Sequence, residues 1–261
     1  MKRIIEKTDD GSATLFVPEL NEHYHSTKGA RTESQHIFIE MGLKASASTA
    51  PRILEVGFGT GLNAWLTLKE AEQSGRHIHY TGLELYPLEW QTIEQLGYIS
   101  NDEQLTTSDR QQPAIELFKQ LHTSPWGKDV QLTPHFTLQK VETDVNKLRV
   151  ENGELRVENG ELRVDNANDS VVNSPFSTLH SPFNLVYFDA FAPEKQPEMW
   201  SQELFNCLFV LLDEGGILTT YCAKGAVRRM LQTAGFTVER LPGPPGGKRE
   251  ILRARKTRNE K

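Results

Sequence analysis

Cysteine is almost missing from this chain: 261 residues hold two, Cys207 and Cys222. They form no Cys-x-x-Cys pair and sit in apolar surroundings, which reads as buried thiols in a reduced, cytoplasmic compartment. Long apolar runs are missing too. Cys207 to Leu212 is among the longest, far short of the roughly 20 residues of a membrane span. The N-terminus, Met1-Lys2-Arg3-Ile4-Ile5-Glu6, turns polar too soon for a signal peptide. There is no excess of positive charge. With 29 Lys and Arg against 35 Asp and Glu, the net charge is −6, so any nucleic-acid contact has to come from a local basic patch. The remaining composition, 37% hydrophobic and 25% charged, fits a soluble globular protein. The length allows one large α/β domain, or one domain with a small attachment.

The richest stretch is Glu55-Val56-Gly57-Phe58-Gly59-Thr60-Gly61-Leu62-Asn63. Pro51 to Leu54 before it suits a buried strand, and Ala64 to Glu70 after it suits the opening of a helix. Strand, glycine turn and helix form the nucleotide-binding corner of a doubly wound sheet. Glycines let the backbone turn with no side chain in the way, and the helix start offers free N–H groups to a ligand. The spacing Gly57-x-Gly59-x-Gly61, with Glu55 two positions ahead, departs from the Gly-x-Gly-x-x-Gly of dinucleotide enzymes. It matches the usual S-adenosylmethionine (SAM) methyltransferase pattern, in which the leading acid faces the methionine end of the cofactor. Glu55, Gly57, Gly59, Gly61 and Asn63 are therefore the first cofactor-binding candidates.

Residues 1–50 read as a small β-rich extension. Ile4 to Lys7 and Thr14 to Val17 flank an Asp10-Gly11 turn as a hairpin, and Glu33 to Leu43 has a helical apolar face. His23 and His25 alternate along one strand face, but no further metal ligands stand near them, and no metal is expected. Residues 51–261 then alternate strands and helices. His77 to Glu84 is the second strand, and Glu84 at its end is placed to bond ribose hydroxyls. Phe136 to Val141 is the third, followed by Asp144 as the candidate for the adenine amino group. Phe183 to Phe188 is an apolar central strand ending in Asp189. Phe236 to Leu241 and Glu250 to Ala254 close the chain as a hairpin. The expected fold is α/β: a doubly wound, Rossmann-like methyltransferase sheet with the N-terminal extension.

Between strands lies a repeat, Leu148-Arg-Val-Glu-Asn-Gly-Glu, then Leu155 and its identical followers, then Leu162-Arg163-Val164-Asp165. Asn and Gly in each unit argue against a coiled coil and for hairpin turns. The insertion at about 148–174 is expected to be a small β-meander or a loop, with no chemistry.

Asp189-Ala190-Phe191-Ala192-Pro193 with Pro197-Glu198-Met199-Trp200 supplies a carboxylate beside aromatic faces, suited to an amine-bearing planar substrate. Here the chain resembles the methyltransferase part of the bacterial bifunctional enzymes that complete 5-methylaminomethyl-2-thiouridine at the tRNA wobble position. The glycine loop, the Asp189 stretch, Lys248-Arg249-Glu250, Thr219-Thr220-Tyr221, Val227-Arg228-Arg229 and Glu33 carry the likeness. The resemblance implies SAM as cofactor, tRNA as partner, and methylation of the aminomethyl nitrogen. Asp189 is then the catalytic residue, with Phe191, Pro193, Trp200, Lys248 and Arg249 on the substrate side. The bifunctional relatives carry a flavin oxidase domain. This sequence ends at Lys261 without a second glycine fingerprint, which reads as the stand-alone form.

An alkylamine near pKa 10 is roughly 0.1% neutral at pH 7, and an aspartate near 4 is a poor base for its proton. Asp189 is therefore expected to orient the amine and stabilise the positive charge growing on nitrogen. Phosphate contacts are expected from Lys248, Arg249, Arg253, Arg255, Lys256, Arg258 and Lys261, with Arg228 and Arg229. The competing readings are a methyltransferase of a small amine or protein, a nicotinamide-dependent oxidoreductase, and a non-catalytic SAM- or tRNA-binding module.

Overall fold

The computed structural model describes residues 2–100, 108–151, 154–157, 178–179 and 182–257. The extension begins with β1 (Ile4–Lys7), β2 (Ala13–Val17) and β3 (Glu22–His23), an antiparallel sheet in that order. Helix α1 (Ala30–Ser34) continues as a π-helical turn over Gln35–Glu40. Then come β4 (Arg52–Val56), α2 (Leu62–Ser74), β5 (Ile78–Glu84), α3 (Trp90–Glu94), α4 (Ser108–Thr123), β6 (Asp129–Thr133) and β7 (Phe136–Glu142). The repeat region supplies β8 (Leu148–Glu151), β9 (Glu154–Val157) and β10 (Thr178–Leu179). The chain closes with β11 (Phe183–Phe188), α5 (Gln202–Leu211), β12 (Leu212–Thr220), α6 (Gly225–Thr233), β13 (Thr237–Pro242) and β14 (Glu250–Arg255).

Eight strands form the central sheet in the order β13-β14-β12-β11-β4-β5-β7-β6. From β12 to β7 the pairing is parallel, and β13, β14 and β6 make antiparallel edges. This is the doubly wound sheet expected. Strand alternation builds a core on each face. Ile53, Tyr80, Leu138, Leu185 and Tyr187 pack under α2 and α4 together with Leu15, Ile37, Phe38 and Ile39 of the extension. Leu54, Val56, Leu83, Val186 and Phe188 pack on the other face with Leu204, Phe205 and Leu208 of α5 and Leu231 of α6. The extension thus shares a core with the sheet.

Three elements differ from the sequence expectations. Helix α4 starts at Ser108, before Pro113, which sits in its second turn. The helix expected over 87–96 shortens to α3. Strand β6, too polar to show an apolar pattern, pairs as an edge, where one face meets solvent. In the repeat, β8 and β9 pair from Leu148↔Val157 to Glu151↔Glu154, the hairpin that the Asn-Gly signal predicts. Residues 152–153 and 158–174 of the insertion lie outside the described residues.

Candidate active site

The central strands β4, β5, β7 and β11 end at one edge, where an open α/β sheet binds its ligand. Each glycine of the loop after β4 has its own reason. Gly57 has φ +90°, and a Cβ there would lie 2.7 Å from the Asp189 carbonyl oxygen. Gly59 has φ +49°, and its Cβ would press on the Tyr24 ring at 3.1 Å. Gly61 is the left-handed residue before α2 and abuts His122, so it serves helix packing.

Two clefts open along this edge. The first is lined by Gly57, Gly59, Glu84, Asp144 and the apolar faces of Val56, Phe58, Leu83 and Met199. Glu84 is held rigidly. Its Oε2 accepts from the Gly59 N–H at 2.8 Å, and its Oε1 from Leu85 and Tyr86 at 3.0 and 2.9 Å. Of about four acceptor sites on a carboxylate, one stays open for a hydroxyl. Asp144 Oδ1 caps the turn after β7 through the Asn146 N–H at 2.9 Å. Carboxylates at two stations along a mostly apolar slot fit an elongated nucleoside such as SAM, whose hydroxyls and amino group are donors.

The second cleft is lined by Glu33, Asp189, Phe191, Pro193, Tyr221, Lys248 and Arg249. Asp189, Ala190, Phe191, Tyr24 and His25 line both clefts, so they form the wall between them. Asp189 follows β11, and its N–H donates to the Val56 carbonyl at 3.0 Å, locking it against the glycine loop. Asn63, the second residue of α2, donates through Nδ2 to Asp189 Oδ2 and to Glu55 Oε1, both at 2.8 Å. Asp189 keeps some surface on the cleft floor, yet burial pushes its carboxyl up to about 7. Glu33 adds to that rise, while the Asn63 bond and the Lys248 charge oppose it.

Four of the expected contacts, Glu55, Gly61, Asn63 and Trp200, are corrected. Glu55 lines neither cleft. It lies fully buried on the α2 side of β4, where burial holds its carboxyl well above the usual range and its partner is Asn63. Its place in the chain reflects support for Asn63, which itself lies behind the cleft wall with Gly61. Trp200, expected on the substrate side, is core. Its ring packs on Phe188 at 4.9 Å and its Nε1 donates to the Phe191 carbonyl at 2.8 Å. Trp200 thus anchors the loop that brings Phe191, Pro193, Gln196 and Met199 to the clefts.

The basic residues divide as well. Lys248 and Arg249 line the second cleft. Arg253 and Arg255 are tied to Glu239 at 2.7 and 3.3 Å, and Lys256 donates to the Leu212 carbonyl at 2.7 Å. Arg258 and Lys261 lie outside the described residues.

Sequence reading missed the contribution of the extension. Tyr24 stands over Gly59 and meets Phe191 edge-on at 5.0 Å. His25 is buried and bonds Thr60 of the glycine loop through Nε2 at 2.9 Å, and burial lowers its pKa to about 4, so it is neutral at pH 7. The alternation of His23 and His25 pointed at a strand, not at this docking. Among the described residues no group of three His, Cys, Asp or Glu could hold a metal, and no helix is long and apolar enough to cross a membrane.

Residues 134–257 match the family model described as S-adenosyl-L-methionine-dependent methyltransferase. That match covers a little under half of the chain and makes it similar to methyltransferases that use SAM as cofactor. More particularly, it is similar to the MnmC proteins. It is 29% identical over 266 residues to the "tRNA 5-methylaminomethyl-2-thiouridine biosynthesis bifunctional protein MnmC" of Cupriavidus metallidurans, covering 98% of this chain and 35% of that protein. The protein of the same description from Pseudomonas fluorescens is 27% identical over 240 residues, covering 88% of this chain and 31% of that one. The chain thus spans about a third of the length of these relatives. The crystal structure of MnmC2 from Aquifex aeolicus shares the fold at a TM-score of 0.66 with 22% identity, over 97% of this chain and 69% of that one.

Proposed function

We propose that the chain methylates the aminomethyl nitrogen of 5-aminomethyl-(2-thio)uridine at the tRNA wobble position, giving the 5-methylaminomethyl nucleoside. The observation that carries this reading is the position of Asp189 on the wall shared by the two clefts. A cofactor in the first and a planar, amine-bearing base in the second meet at that carboxylate. The description of the relatives as tRNA 5-methylaminomethyl-2-thiouridine biosynthesis proteins supplies the substrate class.

Glu84, Asp144, Gly57 and Gly59 are assigned to hold the cofactor. When bound, SAM supplies an electrophilic methyl group on a sulfonium. Phe191, Tyr221 and Pro193 are assigned to the base, and Asp189 to the amine. The elevated Asp189 pKa changes the role expected of it. An ordinary aspartate near 4 facing an amine near 10 opposes proton transfer by roughly 8 kcal/mol. With the carboxyl raised to about 7, the opposition falls to roughly 4 kcal/mol. Asp189 then both anchors the ammonium and accepts its proton, releasing the nitrogen lone pair for in-line attack.

The test is incubation with labelled SAM and tRNA from a strain lacking this gene, followed by nucleoside analysis. Label in 5-methylaminomethyl-(2-thio)uridine is expected. Label in a protein, in a small amine or in another nucleoside would overturn the substrate assignment.

A further inference from the structure

Glu33 and Lys248 stand 215 positions apart in sequence, yet Lys248 Nζ donates to Glu33 Oε1 at 2.7 Å inside the second cleft. Glu33 is buried, and its other oxygen accepts from the Ser26 N–H at 2.9 Å. The same Lys248 ammonium lies 4.3 Å above the centroid of the Tyr221 ring. That ring is pinned beside Asp189, because Tyr221 Oη donates to the Ala190 carbonyl at 2.8 Å. The elements bearing the pair are themselves joined. His36, just after α1, bonds the Pro242 carbonyl at 2.8 Å, and Arg253 of β14 donates to the Met41 carbonyl at 3.2 Å. The pair is thus held in place by the fold.

Four carboxylates line the cleft: Glu250 is paired with Arg240 at 3.6 Å, Glu22 accepts from the His23 N–H at 3.2 Å, and Glu33 is buried close enough to Asp189 to raise its pKa, while a cationic substrate has use for one carboxylate at the reacting nitrogen. Left unpaired, a buried Glu33 would compete for the ammonium and draw it away from the wall shared with the cofactor cleft. We infer that Lys248 is a positioning residue: by claiming Glu33 and the Tyr221 face, it leaves Asp189 as the carboxylate for the amine on the wall shared by the two clefts and sets its charge. This assignment rests on the reading of the second cleft as the amine site. Every charged or titratable neighbour of Asp189 bears on the charge it carries. Glu33 from α1 raises its pKa and Lys248 from the β13–β14 turn lowers it. Glu55 from β4, Tyr80 from β5, Tyr98 after α3 and Tyr221 after β12 also feel it, and His25 on the same wall is neutral.

The experiment follows the Asp189 carboxyl directly, by carbon NMR titration of ligand-free protein labelled at the aspartate carboxyls, with Asp189→Asn to assign the signal. Lys248→Met is expected to move its midpoint up, and Glu33→Gln to move it down, each by roughly half a pH unit or more. Lys248→Arg keeps the charge and is expected to leave the midpoint near that of the unaltered protein. In methylation assays Lys248→Met is expected to shift the acidic limb of the pH profile in the same direction, with SAM affinity unchanged. Midpoints that stay put in both charge-removing variants, while the proteins melt normally, would overturn the inference. Shifted midpoints in a protein that methylates no aminomethyl nucleoside would instead sink the substrate assignment and leave the electrostatic coupling standing.

Discussion

The Asn63 side chain commits both amide hydrogens to acids, one to Asp189 Oδ2 and one to Glu55 Oε1, each at 2.8 Å. Two carboxylates leave the amide one useful orientation. Asn63 joins the first turn of α2 to the end of β11, and so ties the glycine loop to the wall between the two clefts. Asn63→Ala removes a hydrogen bond to a charged group, worth about 1.5–3 kcal/mol. The expected result is a fall of roughly 10- to 100-fold in kcat/KM, with SAM affinity changed far less. Steady-state kinetics beside calorimetric SAM titration checks it.

Asp189 ties the site to pH. Its carboxyl is raised from 3.8 to about 7 in the folded protein, so the native state holds a proton that the unfolded chain releases. Stability from this group is fully present below the unfolded value and is lost as pH rises toward about 7. Asp189→Asn removes the titration. The variant is expected to match the parent near pH 4 and to melt higher at pH 8, by roughly 2–4 °C for each kcal/mol relieved. It is also expected to lose methylation. Thermal melts of both proteins across that range check the sign, and a variant that melts lower at pH 8 would contradict it.

The parts of the site legible in sequence are the local ones. The glycine loop, Glu84 and Asp189 each follow a recognisable strand, and strand ends in a doubly wound sheet converge whatever lies between them. Glu55 misled because its spacing from Gly57 says nothing about which face of β4 it takes. Alternation with Leu54 and Val56 turns it under α2. Tyr24, His25 and the Glu33–Lys248 pair were legible only as residue types. Their roles come from the extension docking across the sheet edge, a long-range contact with no local pattern. Trp200 was ambiguous for a different reason. A half-polar ring suits a cleft or a core equally, and the Phe191 carbonyl decides between them.

Trp200 offers a clean separation of those two roles. Trp200→Phe keeps a ring against Phe188 and Phe205 and loses only the bond to the Phe191 carbonyl. It is expected to fold and to lose activity by no more than about tenfold, the worth of a neutral hydrogen bond. Trp200→Ala leaves a cavity and is expected to cost about 3–5 kcal/mol of stability. Denaturant unfolding of both variants beside their kinetics checks this. A Phe variant of normal stability that is wholly inactive would return Trp200 to the substrate.

The last prediction concerns how RNA is gripped under the proposed function. The C-terminal cations do not act as one patch. Arg253 is largely enclosed, bonded to Glu239 and the Met41 carbonyl, and Lys256 lies over the Phe209 ring at 5.0 Å while bonding Leu212. These contacts fasten β14 to its neighbours. Arg249 and Lys224, in contrast, stand exposed on the rim of the second cleft, Lys224 paired only at the surface with Glu194. A surface pair yields readily to phosphate, because exposed ion pairs contribute about 0–1 kcal/mol. Arg253→Ala is therefore expected to lower thermal stability and leave the salt dependence of tRNA binding unchanged. Lys224→Ala with Arg249→Ala is expected to weaken binding and to flatten the log–log salt slope by roughly 0.7 for each single-strand phosphate that is no longer neutralised. Fluorescence titrations at several salt concentrations measure both. Equal slopes in the double variant and the parent would move the phosphate contacts away from the cleft rim.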